Sequence, residues 1–162
     1  MMKNKLYVMI GVSGSGKSTY AKNHFPNAVY ISRDEIRFNL VSENEEYFSK
    51  EDKVFSEFVH MINKNLSIGK DVIADATHLN PRSRTKLFSH LNINPTKTEI
   101  IAVVMRTPLE VCLDRNENRK GTRSYVPPQI IKNMYSSFKE PTMKELNTVI
   151  DMVHFISFKE EN

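Results

Sequence analysis

The sequence predicts an α/β fold in which helices cover both faces of a mainly parallel β-sheet. Short apolar runs alternate along the chain with segments of helical periodicity, and this alternation builds βαβ units. A glycine-rich loop joins the first apolar run to the first helical segment. With 162 residues, of which 40% are hydrophobic, the chain is long enough to bury a sizeable core. We therefore expect one globular domain over residues 1–162.

Five apolar runs are predicted as strands. The fourth, Thr98–Met105, is apolar at successive positions, which predicts burial on both of its faces. The other predicted strands are Leu6–Ile10, Ala28–Ile31, Asp71–Thr77 and Thr148–Phe158. Ligands of such sheets bind at the carboxyl ends of the strands, so the residues that follow each strand are the candidates for function.

Six helices are predicted between these strands. Ser32 is a suitable N-cap for the second helix, and Pro81 suits the first turn of the fourth. In the third helix the apolar side chains recur at helical spacing, and Gly69 ends it. The predicted helices are Lys17–His24, Ser32–Leu40, Phe48–Ile68, Pro81–Leu91, Pro108–Arg119 and Pro127–Phe138, with residues 120–126 as a mobile loop.

The stretch MIGVSGSGKST fits the phosphate-binding pattern Gly-x-x-x-x-Gly-Lys-Ser, known as Walker A. Its glycines let the backbone curl so that N–H groups point at one centre, and the helix N-terminus adds partial positive charge. The alternative is a turn without a ligand. We interpret the loop as a site for ATP or another nucleoside triphosphate, with Mg²⁺ held by Ser18. The predicted ATP-binding residues are Gly11, Ser13, Gly14, Ser15, Gly16, Lys17, Ser18 and Thr19.

Asp34 and Arg37, in SRDEIR, follow the second strand and share one face of a helix. In phosphoryl transfer a carboxylate can accept the proton of the attacking hydroxyl, and a guanidinium can clamp a phosphate through two parallel bonds. A solvated ion pair that supports the helix is the alternative. The place of the pair at a strand end of a phosphate-loop domain favours the functional interpretation.

Polar residues also follow the third strand, in ADATHLNPRSR. Asp75 can orient Mg²⁺ through water or bind the acceptor, and Thr77 and His78 add hydrogen-bonding groups. His78 is equally compatible with a loop position that has no role. Arg82 and Arg84 supply either positive charge for the site or a solvated helix start.

Arg115, Arg119 and Arg123 recur at intervals of four in DRNENRKGTRSY. The first two lie one helical turn apart, and Arg123 lies in the loop beyond. A lid that presents arginine to a triphosphate would stabilise charge on the transferring phosphoryl group. An ordinary charged helix C-terminus is the alternative, and the pattern favours the lid.

Five segments resemble, in the same order, the polynucleotide 5′-hydroxyl kinase family. They are GVSGSGKST, SRDEIR, DATHLNP, RNENRKGTRSYVP and EPTMKEL, and the resemblance spans roughly residues 5–156. Arg-Asp-x-x-Arg, Asp-x-Thr, the arginine lid and the late Pro-Thr together are more specific than the phosphate loop by itself. The resemblance implies a P-loop kinase-like three-layer sandwich with an arginine-bearing lid and a tunnel-like active site.

The resemblance also implies roles for individual residues. Asp34 would be the general base, assisted in catalysis by Lys17 and Arg119. Arg37 would hold the phosphate next to the acceptor hydroxyl. The further implied roles are Lys17 and Ser18 for the triphosphate and the metal, Asp75 and Thr77 for the acceptor, and Arg115 and Arg119 for the lid and ATP. His78 departs from the family, which often has asparagine there.

Composition and charge limit the class of protein and the partners that it can have. The single cysteine, Cys112, excludes a disulfide framework, and its helical context predicts a buried thiol. The chain has no apolar run near 18 residues and no signal-peptide layout, so we expect a cytoplasmic protein without a membrane partner. A net charge of +4 permits a polyanionic partner. Aromatic residues make up 9% of the chain and tryptophan is absent, so composition predicts no aromatic stacking platform.

These observations favour ATP- and Mg²⁺-dependent phosphorylation of a 5′-hydroxyl on DNA or RNA. The chain has no Asp-x-Asp phosphatase motif and no Lys-x-Asp-Gly ligase motif, so such partners would be separate proteins. A second hypothesis is a small-molecule kinase that acts on a nucleoside, nucleotide or sugar-like alcohol. The third is a nucleotide-binding regulatory module, against which Asp34 argues because a switch needs no proton acceptor there.

Overall fold

All five strands pair in parallel in this computed structural model, which describes residues 2–161. The strands are β1 (Asn4–Ile10), β2 (Val29–Ser32), β3 (Val72–Asp75), β4 (Thr98–Arg106) and β5 (Met152–Ser157). They form one sheet in the order β2-β3-β1-β4-β5. The predicted α/β fold with a parallel sheet is therefore confirmed, and β2 and β5 are its edges.

Seven helices and a terminal 3₁₀ turn accompany the sheet. Ser32 Oγ accepts the N–H of Glu35 at 3.2 Å and caps the second helix, as predicted. Pro81 occupies the first turn of the fourth helix, also as predicted. The helices are α1 (Lys17–His24), α2 (Arg33–Leu40), α3 (Glu51–Ser67), α4 (Pro81–His90), α5 (Leu109–Glu117), α6 (Pro128–Ser137) and α7 (Met143–Thr148), with the 3₁₀ turn at Phe158–Glu161.

Side chains of alternating strand residues build a core on each face of the sheet. Leu6, Val8 and Ile10 of β1 pack with buried residues of α3 and α4. Tyr7 and Met9 of the same strand face the opposite layer, which includes α1. This is the period-two alternation of a strand buried on both sides. No helix within residues 2–161 has the length and apolar composition needed to cross a membrane.

Several predicted boundaries were wrong. α3 begins at Glu51 rather than at Phe48, because the preceding residues form turns. β3 ends at Asp75 rather than at Thr77. His78 then takes the left-handed conformation, with φ +46°, and this conformation is incompatible with a strand. α7 was not predicted, and none of its six residues is fully buried. The strand predicted to begin at Thr148 therefore begins only at Met152.

A buried ion pair holds α7 against α4. The fully buried Arg84 guanidinium donates to both carboxylate oxygens of Glu145, at 2.7 and 3.0 Å. Its Nη1 also donates to the carbonyls of His78 and Lys139. Burial opposes ionisation of Glu145, but the hydrogen bonds from Arg84 and Thr142, together with the Arg84 charge, lower the pKa of that carboxyl. Arg84 is therefore neither a solvated helix start nor a free charge of the site, and that expectation was wrong.

Replacing Arg84 by alanine should destabilise the fold by about 3–5 kcal/mol, because Glu145 would be left as a buried charge without its partner. Arg106 is a matched control, since it pairs with Glu140 through the same two-bond geometry but is half exposed. Arg106→Ala should cost at most about 1 kcal/mol. Urea unfolding measures both, and equal losses in the two variants would contradict this account.

Candidate active site

The phosphate loop needs glycine where the backbone is left-handed or crowded. Gly14 and Gly16 have φ values of +82° and +93°. A Cβ on Gly14 would also lie 2.7 Å from the carbonyl oxygen of Cys112, and a Cβ on Gly11 would lie 2.6 Å from Ser15 Oγ. Only glycine combines these conformations with so close an approach. The loop is thus packed directly against α5, the helix that leads into the lid.

The serines and the threonine of the loop occupy different environments. Ser15 is buried, and its N–H donates to the Val12 carbonyl at 3.1 Å. Its carbonyl accepts the Thr107 hydroxyl at 2.7 Å. Ser13 is half-buried, and Thr19 is exposed on the first turn of α1. Ser15 therefore supports the loop from inside, whereas Ser13 and Thr19 stay accessible to a ligand.

Lys17 lies over the loop, where its ammonium donates to the Val12 carbonyl at 3.1 Å. Burial lowers the pKa of Lys17, and the negative charges of Asp75 and Asp34 oppose this effect, while the positive charge of Arg119 adds to it. The charges of three other predicted site residues, Asp34, Asp75 and Arg119, therefore act on Lys17.

Ser18, Asp75 and Tyr30 form a hydrogen-bonded triangle at the strand ends. Ser18 Oγ donates to Asp75 Oδ2 at 2.8 Å, and the Tyr30 hydroxyl donates to the same carboxylate oxygen and lies 3.0 Å from Ser18 Oγ. Burial first, and then the Asp75 charge, raise the pKa of Tyr30 well above its ordinary value, so its hydroxyl stays protonated. Tyr30 therefore acts as a fixed hydrogen-bond donor to Asp75.

Ser18 and Asp75 suit Mg²⁺ as ligands. A hydroxyl and a carboxylate 2.8 Å apart are hard oxygen donors, and Mg²⁺ is usually held by one or two such groups together with substrate phosphates and water. Within residues 2–161, no group of three or more His, Cys, Asp and Glu side chains could hold a metal ion. The site would therefore bind the ion jointly with a nucleotide.

Asp34 and Arg37 make an ion pair, with Arg37 Nη1 2.6 Å from Asp34 Oδ1, but it is not the solvated pair that was the alternative to a functional role. The Arg37 side chain is buried, whereas 67% of the Asp34 side chain is exposed. Arg37 Nε and Nη2 both donate to Glu51, and Nη1 also lies 3.2 Å from the Tyr47 hydroxyl. Burial opposes ionisation of Glu51, but its hydrogen bonds from Arg37 lower the pKa of that carboxyl. Glu51 therefore fixes the guanidinium and leaves Nη1 beside Asp34.

The segment after β3 is fastened to β1. The Gly11 N–H donates to the Thr77 carbonyl at 3.0 Å, and His78 Nδ1 lies 2.7 Å from the Met9 carbonyl. Burial lowers the pKa of His78 to about 4, so its imidazole is neutral at pH 7 and Nδ1 is the donor. Thr77 thus lies beside the phosphate loop, and His78 has a structural role instead of none.

The lid arginines differ in their contacts. Arg115 Nη1 donates to the Gly14 carbonyl at 3.2 Å and so reaches the phosphate loop. Arg119 is half-buried and acts electrostatically on Lys17. Arg123 instead donates to the carbonyls of Phe38 and Val41 at the end of α2. Arg115 therefore contacts the phosphate loop directly, whereas Arg123 joins the lid to α2.

The expected mobile loop, residues 120–126, has specific anchors. The buried Asn116 side chain exchanges two hydrogen bonds with the backbone of Val126, at 2.6 and 3.0 Å. Arg123 supplies the second anchor. The fold of this segment is therefore determined by contacts with α5 and α2.

The sequence analysis missed Tyr30, Tyr47 and Glu51 as members of this site. Tyr30 is close to the carboxyl end of β2, and its position there is a signal that could have identified it. Glu51 lies in the first turn of α3, where acidic residues are common for reasons unrelated to function. Only the tertiary packing of α3 against α2 reveals that it contacts Arg37.

Tyr30→Phe should weaken Mn²⁺ binding in the presence of ATP by about tenfold, because partners that orient a metal ligand typically contribute 10- to 100-fold to metal affinity. The substitution keeps the ring and removes only the donor to Asp75. Electron paramagnetic resonance of Mn²⁺ measures the affinity. Tyr7→Phe is the control, since Tyr7 lies on β1 in the core behind the site. Unchanged Mn²⁺ affinity in Tyr30→Phe would show that its hydroxyl does not position Asp75.

Comparisons with known proteins identify relatives of this chain. A protein of Autographa californica nuclear polyhedrosis virus, named as a bifunctional polynucleotide kinase/RNA ligase, is 29% identical over an alignment that covers 83% of this chain and 21% of that protein. The chain therefore spans about a fifth of the length of this relative. The resemblance to polynucleotide kinases that the sequence motifs indicated is confirmed.

Two solved structures share the fold. A chain of the Pnkp1/Rnl/Hen1 RNA repair complex matches with a TM-score of 0.70 at 23% identity, over 85% of this chain and 44% of that chain. A sugar kinase from Janibacter sp. HTCC2649 matches with a TM-score of 0.66 at 16% identity, over 98% of this chain and 87% of that chain. A family model described as an AAA domain matches residues 6–141. The names of the viral relative and of the Janibacter protein include the word kinase, in agreement with the predicted phosphotransferase. The chain itself belongs to this AAA domain family.

Proposed function

We propose that this protein transfers the γ-phosphate of ATP, in the presence of Mg²⁺, to the 5′-hydroxyl of a polynucleotide. The viral relative supports a polynucleotide as the acceptor class, because its printed name includes polynucleotide kinase. The phosphate loop supports a nucleoside triphosphate as the donor. Both proposals apply to the kinase step alone, since the chain spans only part of that relative.

The observation that carries the proposal is the exposed carboxylate of Asp34. It is held by Arg37 on one side, and its charge acts on Lys17 on the other. A general base needs a fixed position near the phosphoryl donor and access to the incoming hydroxyl. Asp34 meets both requirements, so we propose that it accepts the proton of the attacking 5′-hydroxyl.

The donor side of the site is assigned to the phosphate loop and the lid. Lys17 would neutralise the β- and γ-phosphates, and Arg119 would stabilise charge on the transferring group. Arg115 would support the loop through the Gly14 carbonyl. Ser18 and Asp75 would hold Mg²⁺, which would neutralise phosphate charge when bound. Of the two roles that the sequence left open for Asp75, metal and acceptor, we propose the metal, whereas the resemblance implied the acceptor.

We assign to Arg37 the binding of the phosphate on the 3′ side of the acceptor nucleoside. Thr77 would lie near the acceptor. Glu51 occupies Nε and Nη2, so an incoming phosphate would compete for Nη1 with Asp34 and Tyr47. A phosphate that takes Nη1 would displace the Asp34 carboxylate from its hydrogen bond with Arg37.

A small-molecule kinase is the second candidate. The match to a sugar kinase extends over nearly the full length of both chains, whereas this chain spans less than half of the repair-complex chain. The same base and the same phosphate loop would serve a sugar hydroxyl. In that case Arg37 would bind no acceptor phosphate, and nucleoside 3′-phosphates would be no better acceptors than nucleosides.

Partner proteins follow from the same proposal. The relative named above combines polynucleotide kinase with RNA ligase in its name. We propose that ligase or phosphatase steps, where the cell uses them with this kinase, come from separate proteins or from other domains. A cytoplasmic location is part of this proposal, because ATP and nucleic acids are both available there.

Asp34→Asn should lower the rate of phosphoryl transfer to a 5′-hydroxyl oligonucleotide by about 10²–10⁴, because the amide cannot take the proton. ATP affinity should stay within about threefold, since Asn can still accept the Arg37 hydrogen bond. Glu35→Gln is the matched control, because Glu35 is an exposed carboxylate on the same helix. Labelled-ATP transfer and ATP titration measure the two quantities. A rate within a few-fold of wild type would remove Asp34 as the base.

A further inference from the structure

Three aromatic side chains from two separate segments form a row next to Asp34. Phe38, on α2, makes an edge contact with Tyr47, with ring centroids 6.3 Å apart. Tyr47 makes a second edge contact with Phe48, at 4.7 Å and an interplanar angle of 89°. We call these three residues the aromatic row. Composition predicted no such platform, because the chain folds these rings together from residues that no local pattern links.

The aromatic row begins at the proposed reacting pair. The Tyr47 hydroxyl lies 3.2 Å from Arg37 Nη1 and 3.4 Å from Asp34 Oδ1. The Arg37 guanidinium lies 4.9 Å from the Tyr47 ring and 5.5 Å from the Phe48 ring. A nucleotide with its 5′-hydroxyl at Asp34 and its 3′-phosphate at Arg37 would therefore have its base beside these rings.

Phe48 is the ring of the row that is open to a ligand. Its relative exposure is 61%, whereas Phe38 and Tyr47 are half-buried. Tyr47 and the Arg37 guanidinium contact part of this ring, and an incoming base would use the part that stays exposed. An exposed aromatic next to a buried arginine is the arrangement on which unpaired bases stack, because every base has a π-face.

A groove of about 370 Å³ continues from Tyr47 between the 42–50 loop and the lid. Glu43, Glu45 and Tyr47 line it, together with Gly121, Thr122 and Arg123 of the lid. Arg123 donates to the carbonyls of Phe38 and Val41, and Glu45 pairs with Lys50. The glutamates therefore offer the groove hydrogen-bond acceptors for the amino groups of a base.

We infer that the aromatic row, with Phe48 as its exposed ring, is the binding site for the base of the acceptor's 5′-terminal nucleotide. The inference rests on the proposed function and narrows its substrate to nucleic-acid ends whose terminal base is unpaired. Stacking discriminates poorly among the four bases, so the site selects an unpaired end and not a sequence.

Phe48→Ala should lower kcat/KM for a single-stranded 5′-hydroxyl oligonucleotide by about tenfold, within the 5- to 150-fold that base stacking contributes. When the same oligonucleotide carries an abasic residue at its 5′ end, the wild type and the variant should phosphorylate it at the same low rate. Phe48→Tyr should restore the rate on the natural end. Phe155→Ala is the matched control, since Phe155 is an exposed aromatic on the opposite edge strand.

A binding measurement separates this inference from the proposed function. An oligonucleotide with 2-aminopurine at its 5′ end should lose fluorescence on binding to the wild type, and Phe48→Ala should abolish most of that quenching. Equal losses of kcat/KM on natural and abasic ends, or quenching that survives in Phe48→Ala, would overturn the inference. Transfer to no oligonucleotide, with quenching intact, would overturn the proposed function while supporting the stacking site.

Discussion

The parallel pairing of β1 with β3 is the constraint on which the whole site depends. In this register Met9 lies opposite Asp75, so both strands end at one level of the sheet. The Gly11 N–H then bonds to Thr77, and His78 bonds to Met9, which fastens the two following segments together. Ser18 lies within hydrogen-bond reach of Asp75 only because of this pairing. A slip of one residue would also turn every buried side chain of these strands to the wrong face.

Charge balance is the second feature that organises the site. Lys17 and Arg37 are cations removed in large part from water, and each is accompanied by carboxylates: Asp75 and Asp34 for Lys17, and Glu51 and Asp34 for Arg37. Asp34 is common to both groups, which places the proposed base between the donor and acceptor sides. Buried charge of this kind is stable only when paired. The site is therefore arranged before any substrate binds.

Much of the fold and part of the site could be predicted from the sequence, because those features are local. The phosphate loop, the Ser32 cap and the spacing of Asp34 and Arg37 each depend on neighbouring residues. Glu51, Tyr47 and Phe48 could not be assigned, since their roles depend on how α3 and its preceding loop pack against α2. Arg84 was misjudged for the same reason, because its partner Glu145 lies 61 residues away. His78 shows a local reason for a departure from the family: φ +46° suits asparagine and histidine alike.

The central claim is that the acceptor is the 5′-hydroxyl of a polynucleotide. The most direct measurement compares acceptors with γ-labelled ATP and Mg²⁺: a 5′-hydroxyl oligonucleotide, a nucleoside 3′-phosphate, a nucleoside and a set of sugars. Our account predicts transfer to the first two, with specificity constants about 10- to 160-fold above that of the nucleoside, because a charge-assisted bond from Arg37 contributes about 1.5–3 kcal/mol. Transfer to a sugar with no transfer to either phosphate-bearing acceptor would contradict it.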